Sequence, residues 1–144
     1  MVLTEFIDAL ATAMANELRA REREFSVYVM RALDLGLFPW HGLIEPSFLT
    51  SADVCAERDI ADWKLYNFAS TRSGAWPDVA ELGSWMQEFY ERDTTENAQI
   101  LYLAAAEALG RGSVQNALVS YNKADNFYLS VFDPDDRSSR NFCS

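Results

Sequence analysis

Residues 25–46, FSVYVMRALDLGLFPWHGLIEP, decide how the chain is read. Phe25, Val27 and Val29 alternate with Ser26, Tyr28 and Met30. A two-residue period in β-branched and aromatic side chains is the mark of a strand, so residues 25–32 are predicted to form one. Both of its faces carry apolar groups, which predicts a central strand covered on both sides. Gly36, Pro39, Gly42 and Pro46 then punctuate the chain, and inside this broken segment only 43–45 is expected to pair as a short strand.

On the N-terminal side, Leu3, Phe6, Ile7, Leu10, Met14 and Leu18 recur at helical spacing, so 3–21 reads as an amphipathic helix. Thr4 is the expected N-cap, with Glu5 and Asp8 where the helix dipole favours acids. Arg19, Arg21 and Arg23 are interleaved with Glu22 and Glu24, the pattern of a solvated helix end.

On the C-terminal side, a short helix is expected within 47–57, capped by Thr50 or Ser51 with Asp53 in its first turn, then a strand at 62–68 and a polar turn at 69–75. Pro77 opens a helix to about Arg92, with Val79, Leu82, Trp85, Met86 and Phe89 as its stripe. Asp93 and Glu96 form a capping-box pattern for a further helix that ends at Gly110, and the short break between the two predicts an antiparallel helix pair. Residues 113–121 fit a helix or a strand. Residues 126–132, NFYLSVF, alternate as a strand, and 133–144 reads as a loose tail. The expected fold is a single α+β domain: an antiparallel or mixed sheet, an N-terminal helix and an antiparallel helix pair.

Composition narrows the function. Twenty-two acids against 12 bases leave a net charge of −10, which would be repelled by phosphates of nucleic acid and by anionic membranes. The same charge suits a basic protein partner, because long-range attraction raises encounter rates, and it also serves solubility. No run of about 18 apolar residues is present and the first residues lack a basic signal-peptide start, so a cytoplasmic protein is expected. Cys55 and Cys143 form no C-x-x-C motif.

His41 is the sole histidine, which excludes His-rich metal sites and two-histidine mechanisms. A Cys55–His41 pair is formally open, but nothing in the sequence aims one at the other. The carboxylate pairs Glu88/Glu91 and Asp59/Asp62 have no accompanying base or nucleophile. Asp133, Asp135 and Asp136 make a D-x-D-D cluster after a strand, the one place where Mg²⁺ or Ca²⁺ has candidate ligands, although the calcium-loop pattern is missing. P-loop, G-x-G-x-x-G, G-x-S-x-G and H-E-x-x-H motifs are all absent from the sequence. No cofactor is therefore expected. Trp40 and Trp76 sit in Pro/Gly-containing loops and, with His41 and the three aspartates, are the candidate partner-binding residues.

The order of a leading helix, FSVYVM, FPWHGLIEP, ADWKLY, paired helices and NFYLSVFDPDD resembles a family of uncharacterised bacterial α+β domains. As a class, the short, acidic, aromatic-rich and motif-poor profile resembles toxin-immunity proteins. That resemblance implies an immunity or antitoxin-type protein that binds and inhibits a basic, nucleic-acid-acting bacterial toxin, with no enzymatic activity of its own. The competing expectations are a metal-dependent hydrolase built on Asp133, Asp135 and Asp136, and a mimic of nucleic-acid charge.

Overall fold

The computed structural model describes residues 1–71 and 75–144. The chain is a single α+β domain. Its sheet has three strands: β1 (Met30–Phe38) in the centre, β2 (Leu43–Thr50) antiparallel to it on one side, and β3 (Lys123–Ser130) parallel to it on the other. Among the described residues four α-helices accompany the sheet: α1 (Leu3–Arg21), α2 (Ala80–Arg92), α3 (Thr94–Leu109) and α4 (Gly112–Leu118). Among the described residues, no helix is long and apolar enough to cross a membrane.

The central strand is not where the 25–32 periodicity puts it. Residues Glu24–Val27 form a 3₁₀ turn, and β1 starts at Met30. The turn drops Phe25 into the core, edge-on to Phe48 and Phe68, and leaves Val27 79% exposed. A strand through 25–29 would bury or expose these residues together. The strand that forms runs through L-D-L-G-L instead: Leu33, Leu35 and Leu37 face the helices, while Ala32, Asp34, Gly36 and Phe38 face the other way. Leu33, Leu35 and Leu37 are buried with Phe6, Leu10, Met14 and Leu18 of α1 and with the alanine-rich face of α3. The small side chains of Ala104, Ala105 and Ala108 let α3 lie close to both α1 and the sheet.

The segment 47–57 is not helical. Residues 43–50 continue as β2, and Pro46 is tolerated because β2 is an edge strand whose missing N–H costs no ladder bond. Asp53 does not cap a helix; it accepts Thr50 N–H at 2.7 Å and Lys64 N–H at 2.8 Å and so ties down the loop that follows β2. The expected strand at 62–68 reduces to one bridge, Leu65 to Phe48, because Trp63 turns inward against Ala32 and Leu49. Of the turn expected at 69–75, residues 72–74 lie outside the described residues.

The helices follow their patterns more closely. Thr4 lies inside α1 rather than capping it; Glu5 reaches back to accept Val2 N–H at 3.2 Å. Asp93 caps α3 through Glu96 N–H at 3.2 Å. Gly110 ends α3 in the right-handed helical region, without the left-handed turn that a glycine C′ suggests. Residues 112–118 form α4, which settles the ambiguous 113–121 segment as mostly helix.

Two side chains close helix ends that would otherwise leave bare carbonyls: the Tyr121 hydroxyl donates to Leu18 O at 2.5 Å, and Lys123 Nζ to Leu118 O at 2.6 Å. After β3, residues 133–144, expected as a loose tail, fold back on the sheet. Asn141 Oδ1 accepts Val131 N–H at 3.1 Å, and the buried Phe142 ring lies against Tyr102.

Candidate functional site

The two faces of the sheet have different fates. One is sealed by helices. On the other, side chains fall in rows across the three strands, set by the register. Ala32 pairs with Leu49 and Tyr128, and this apolar row is covered by Trp63. The next row is polar: Ser47, Asp34 and Ser130 stand side by side. Beyond it, Gly36 pairs with Glu45. The loop after β2 covers the first row and borders the other two, touching Ser47 and Glu45. A cleft of about 390 Å³ is left, walled by Phe38, Tyr66, Ile60 and Phe132 and rimmed by Glu45, Asp59, Asp62 and Asp136, with Arg58 and Arg137 at its mouth.

Asp34 is the floor of this cleft and is only 2% exposed. The Ser130 hydroxyl donates to its Oδ1 at 2.6 Å, whereas Oδ2 receives no hydrogen bond among the described residues. Desolvation favours the neutral acid and pushes its pKa up to about 7, with the Ser130 hydrogen bond and the Arg58 charge pulling the other way. Ser47, on the neighbouring strand, is also buried and accepts Asn67 N–H at 2.8 Å, so it anchors the covering loop. Gly36 adds no side chain to the floor: a Cβ there would sit 3.3 Å from Phe38 Cε2, 3.4 Å from the Glu45 carbonyl and 3.8 Å from Asp34 Oδ2.

The walls are held from outside. Arg58 lies 3.8 Å above the centre of the Phe132 ring and donates to the carbonyls of Ser139 and Asp136, at 3.2 and 3.5 Å. The Tyr66 hydroxyl donates to Glu45 Oε1 at 2.6 Å; burial, followed by Glu45, pushes the phenol up to about 12.

Of the candidate partner-binding residues only Asp136 lines this cleft, and the Asp59/Asp62 carboxylate pair joins it there. Asp133, Asp135 and Asp136 do not converge on a common point. Asp133 Oδ1 accepts Asp135 N–H at 2.9 Å and the Tyr102 hydroxyl at 3.4 Å, and Asp136 Oδ1 accepts Ser138 N–H at 2.9 Å. These carboxylates shape their own turn, and among the described residues no group of three His, Cys, Asp or Glu could hold a metal ion.

Trp40 and His41 occupy the turn between β1 and β2. Trp40 is half-buried, with its ring 6.3 Å from that of Tyr90, and its carbonyl accepts the Gln87 side chain at 3.0 Å; His41 is exposed. Trp76 is 4% exposed and belongs to the core, so its ring offers no surface anchor.

Asp34, Gly36 and Ser47 are the residues that sequence reasoning passes over. Their signal is present in the strict leucine alternation of 33–37, which sends Asp34 and Gly36 to one face. It is masked by Gly36 and Asp34 themselves, residue types depleted in strands. No family model, curated protein or solved structure matches the chain.

Proposed function

We propose that the chain is an immunity or antitoxin-type binding protein that recognises a basic protein and holds it inactive. The observation that carries this reading is the combination of a −10 net charge with a cleft whose rim is mostly acidic. Acidic surfaces speed encounter with a basic partner, and concave sites with aromatic walls supply the short-range contacts that hold it. The toxin-immunity resemblance of the sequence points the same way, and a nucleic-acid-acting toxin would present the basic surface required.

Asp34, a carboxyl with a raised pKa in a cleft, also invites a catalytic reading. Binding is favoured over it because Ser130, the hydroxyl beside Asp34, is fully buried and spends its proton on Asp34. It is not presented to a substrate as a nucleophile would be. Binding is also favoured over the metal-hydrolase alternative because Asp133 and Asp136 accept N–H groups of their own turn.

The test is capture. The chain is immobilised and exposed to the product of the neighbouring gene and to native cell extract at low salt. A basic protein is expected to be retained, and its activity to be lost in the complex. Retention of no basic protein, together with failure of the chain to protect cells from its gene neighbour, would rule the reading out.

A further inference from the structure

We infer that the cleft above Asp34 is the receptor for a single cationic side chain, a lysine or arginine of the protein partner. The inference rests on the binding reading above and identifies what enters its site.

Four observations converge on a cation carried by an aliphatic stem. First, the floor holds an acid with room for a donor: Asp34 is 2% exposed, Ser130 donates to Oδ1, and Oδ2, which no donor reaches among the described residues, is not one of the sealed, unpartnered atoms and so keeps contact with the cleft. A buried carboxylate without a full set of donors is costly, and an incoming ammonium or guanidinium supplies both the donors and the counter-charge.

Second, the walls are rings. Phe38 and Tyr66 offer apolar and aromatic surface beside which methylene groups and a cation can lie, while Phe132 already carries Arg58 on its ring. Arg58 shows this chemistry within the chain, with its guanidinium stacked on Phe132 at 3.8 Å. Third, the rim carries Glu45, Asp59, Asp62 and Asp136 against Arg58 and Arg137. An anionic ligand would meet this excess of acid, and Arg58 has already given donors to the carbonyls of Ser139 and Asp136. Fourth, Gly36 puts no side chain on the floor beside Oδ2: a Cβ there would stand 3.8 Å from that oxygen, 3.3 Å from Phe38 Cε2 and 3.4 Å from the Glu45 carbonyl.

The test uses the full chain and needs no partner. The chain is titrated with N-acetyl-arginine amide and N-acetyl-lysine amide, with N-acetyl-norleucine amide as a neutral stem of similar length and with inorganic phosphate as the anion. Amide shifts in the ¹H–¹⁵N spectrum are the readout. The cationic amides are expected to give saturable shifts at Gly36, Ser47 and Tyr66; the neutral amide and phosphate are not.

Asp34→Asn removes the charge, and Gly36→Ala fills part of the floor beside Phe38 and Oδ2 without changing charge. Each should weaken the cationic amides about tenfold or more while the rest of the spectrum stays that of the folded protein. Glu45→Gln, at the exposed rim, should weaken them by a smaller factor and guards against an unfolded floor variant. Equal shifts from the neutral amide, saturable shifts from phosphate alone, or no saturable shift at the cleft would each overturn the inference. Saturation without any captured partner would leave the cation site standing and retire the inhibitor reading. A captured partner indifferent to Asp34→Asn and Gly36→Ala would do the reverse.

Discussion

Asp34 folds into a place where little water reaches its charge. Its carboxyl, ordinarily acidic at 3.8, is pushed up to about 7 chiefly by desolvation. The folded state therefore binds a proton that the unfolded state has released between these two values, and stability must fall as pH rises through that window. Below the lower value both states are protonated and the penalty is absent; above about 7 it is fully present, on the order of a few kcal/mol. Asp34→Asn keeps an acceptor for Ser130 and removes the charge. The variant is expected to melt higher than the parent at pH 8, with the gap closing as pH falls towards 4. Paired melting curves across that range check it, and a gap independent of pH would show that Asp34 carries no desolvation penalty. The same group is the least legible part of the site in sequence, because a lone aspartate among leucines looks like a loop residue until the strand is placed.

Between elements, the contact that admits least change joins α2 to the β1–β2 turn. Gly42 has φ +64°, a left-handed conformation that suits the turn's last residue, and it lies against Gly83 of α2. A Cβ on Gly83 would collide with the backbone carbonyl of Gly42, which has no rotamer with which to yield. Gly83→Ala should therefore cost about 1–3 kcal/mol through overpacking, in spite of the ~1 kcal/mol that alanine gains over glycine within a helix. Gly112→Ala is the control, since nothing lies within 4 Å of its Cβ position. Urea midpoints of the two variants check the contrast; equal midpoints would mean that α2 is free to shift.

The elements also divide by legibility. The stripes of α1 and α2 and the Asp93 cap of α3 could be read from spacing because a helix repeats its pattern over many residues. β1 and β2 could not, since Gly36, Pro46 and Gly42 mimic breakers and the real alternation of Leu33, Leu35 and Leu37 spans five residues. The cleft was out of reach for a further reason. Its row of Ser47, Asp34 and Ser130 is assembled by register across residues far apart in the chain, and no local pattern encodes register.

At the scale of the whole molecule, charge is the property that reaches furthest. With a net charge of −10 and a pI of about 4.4, association with a basic partner should be fast at low salt. It should slow by about tenfold or more as salt shortens the Debye length from roughly 30 Å at 0.01 M to about 3 Å at 1 M. Dissociation should change much less. Stopped-flow mixing of the captured complex at a series of ionic strengths measures both, and an association rate flat across the series would reduce the acidity to an aid to solubility.

The same whole-molecule view bears on how the chain comes into being. β1 takes its second hydrogen-bonded neighbour only from β3, and α2, α3 and α4 all intervene in sequence. The Asp34–Ser130 hydrogen bond spans 96 positions. On the ribosome, the helix and hairpin at the start emerge long before the strand that completes them, and distant pairings of this kind close slowly. Until β3 arrives, β1 lacks its partner on that edge and Asp34 lacks the Ser130 hydroxyl. The polar row at the floor of the cleft is therefore among the last parts of the sheet to be completed, and it closes only once residue 130 has been made.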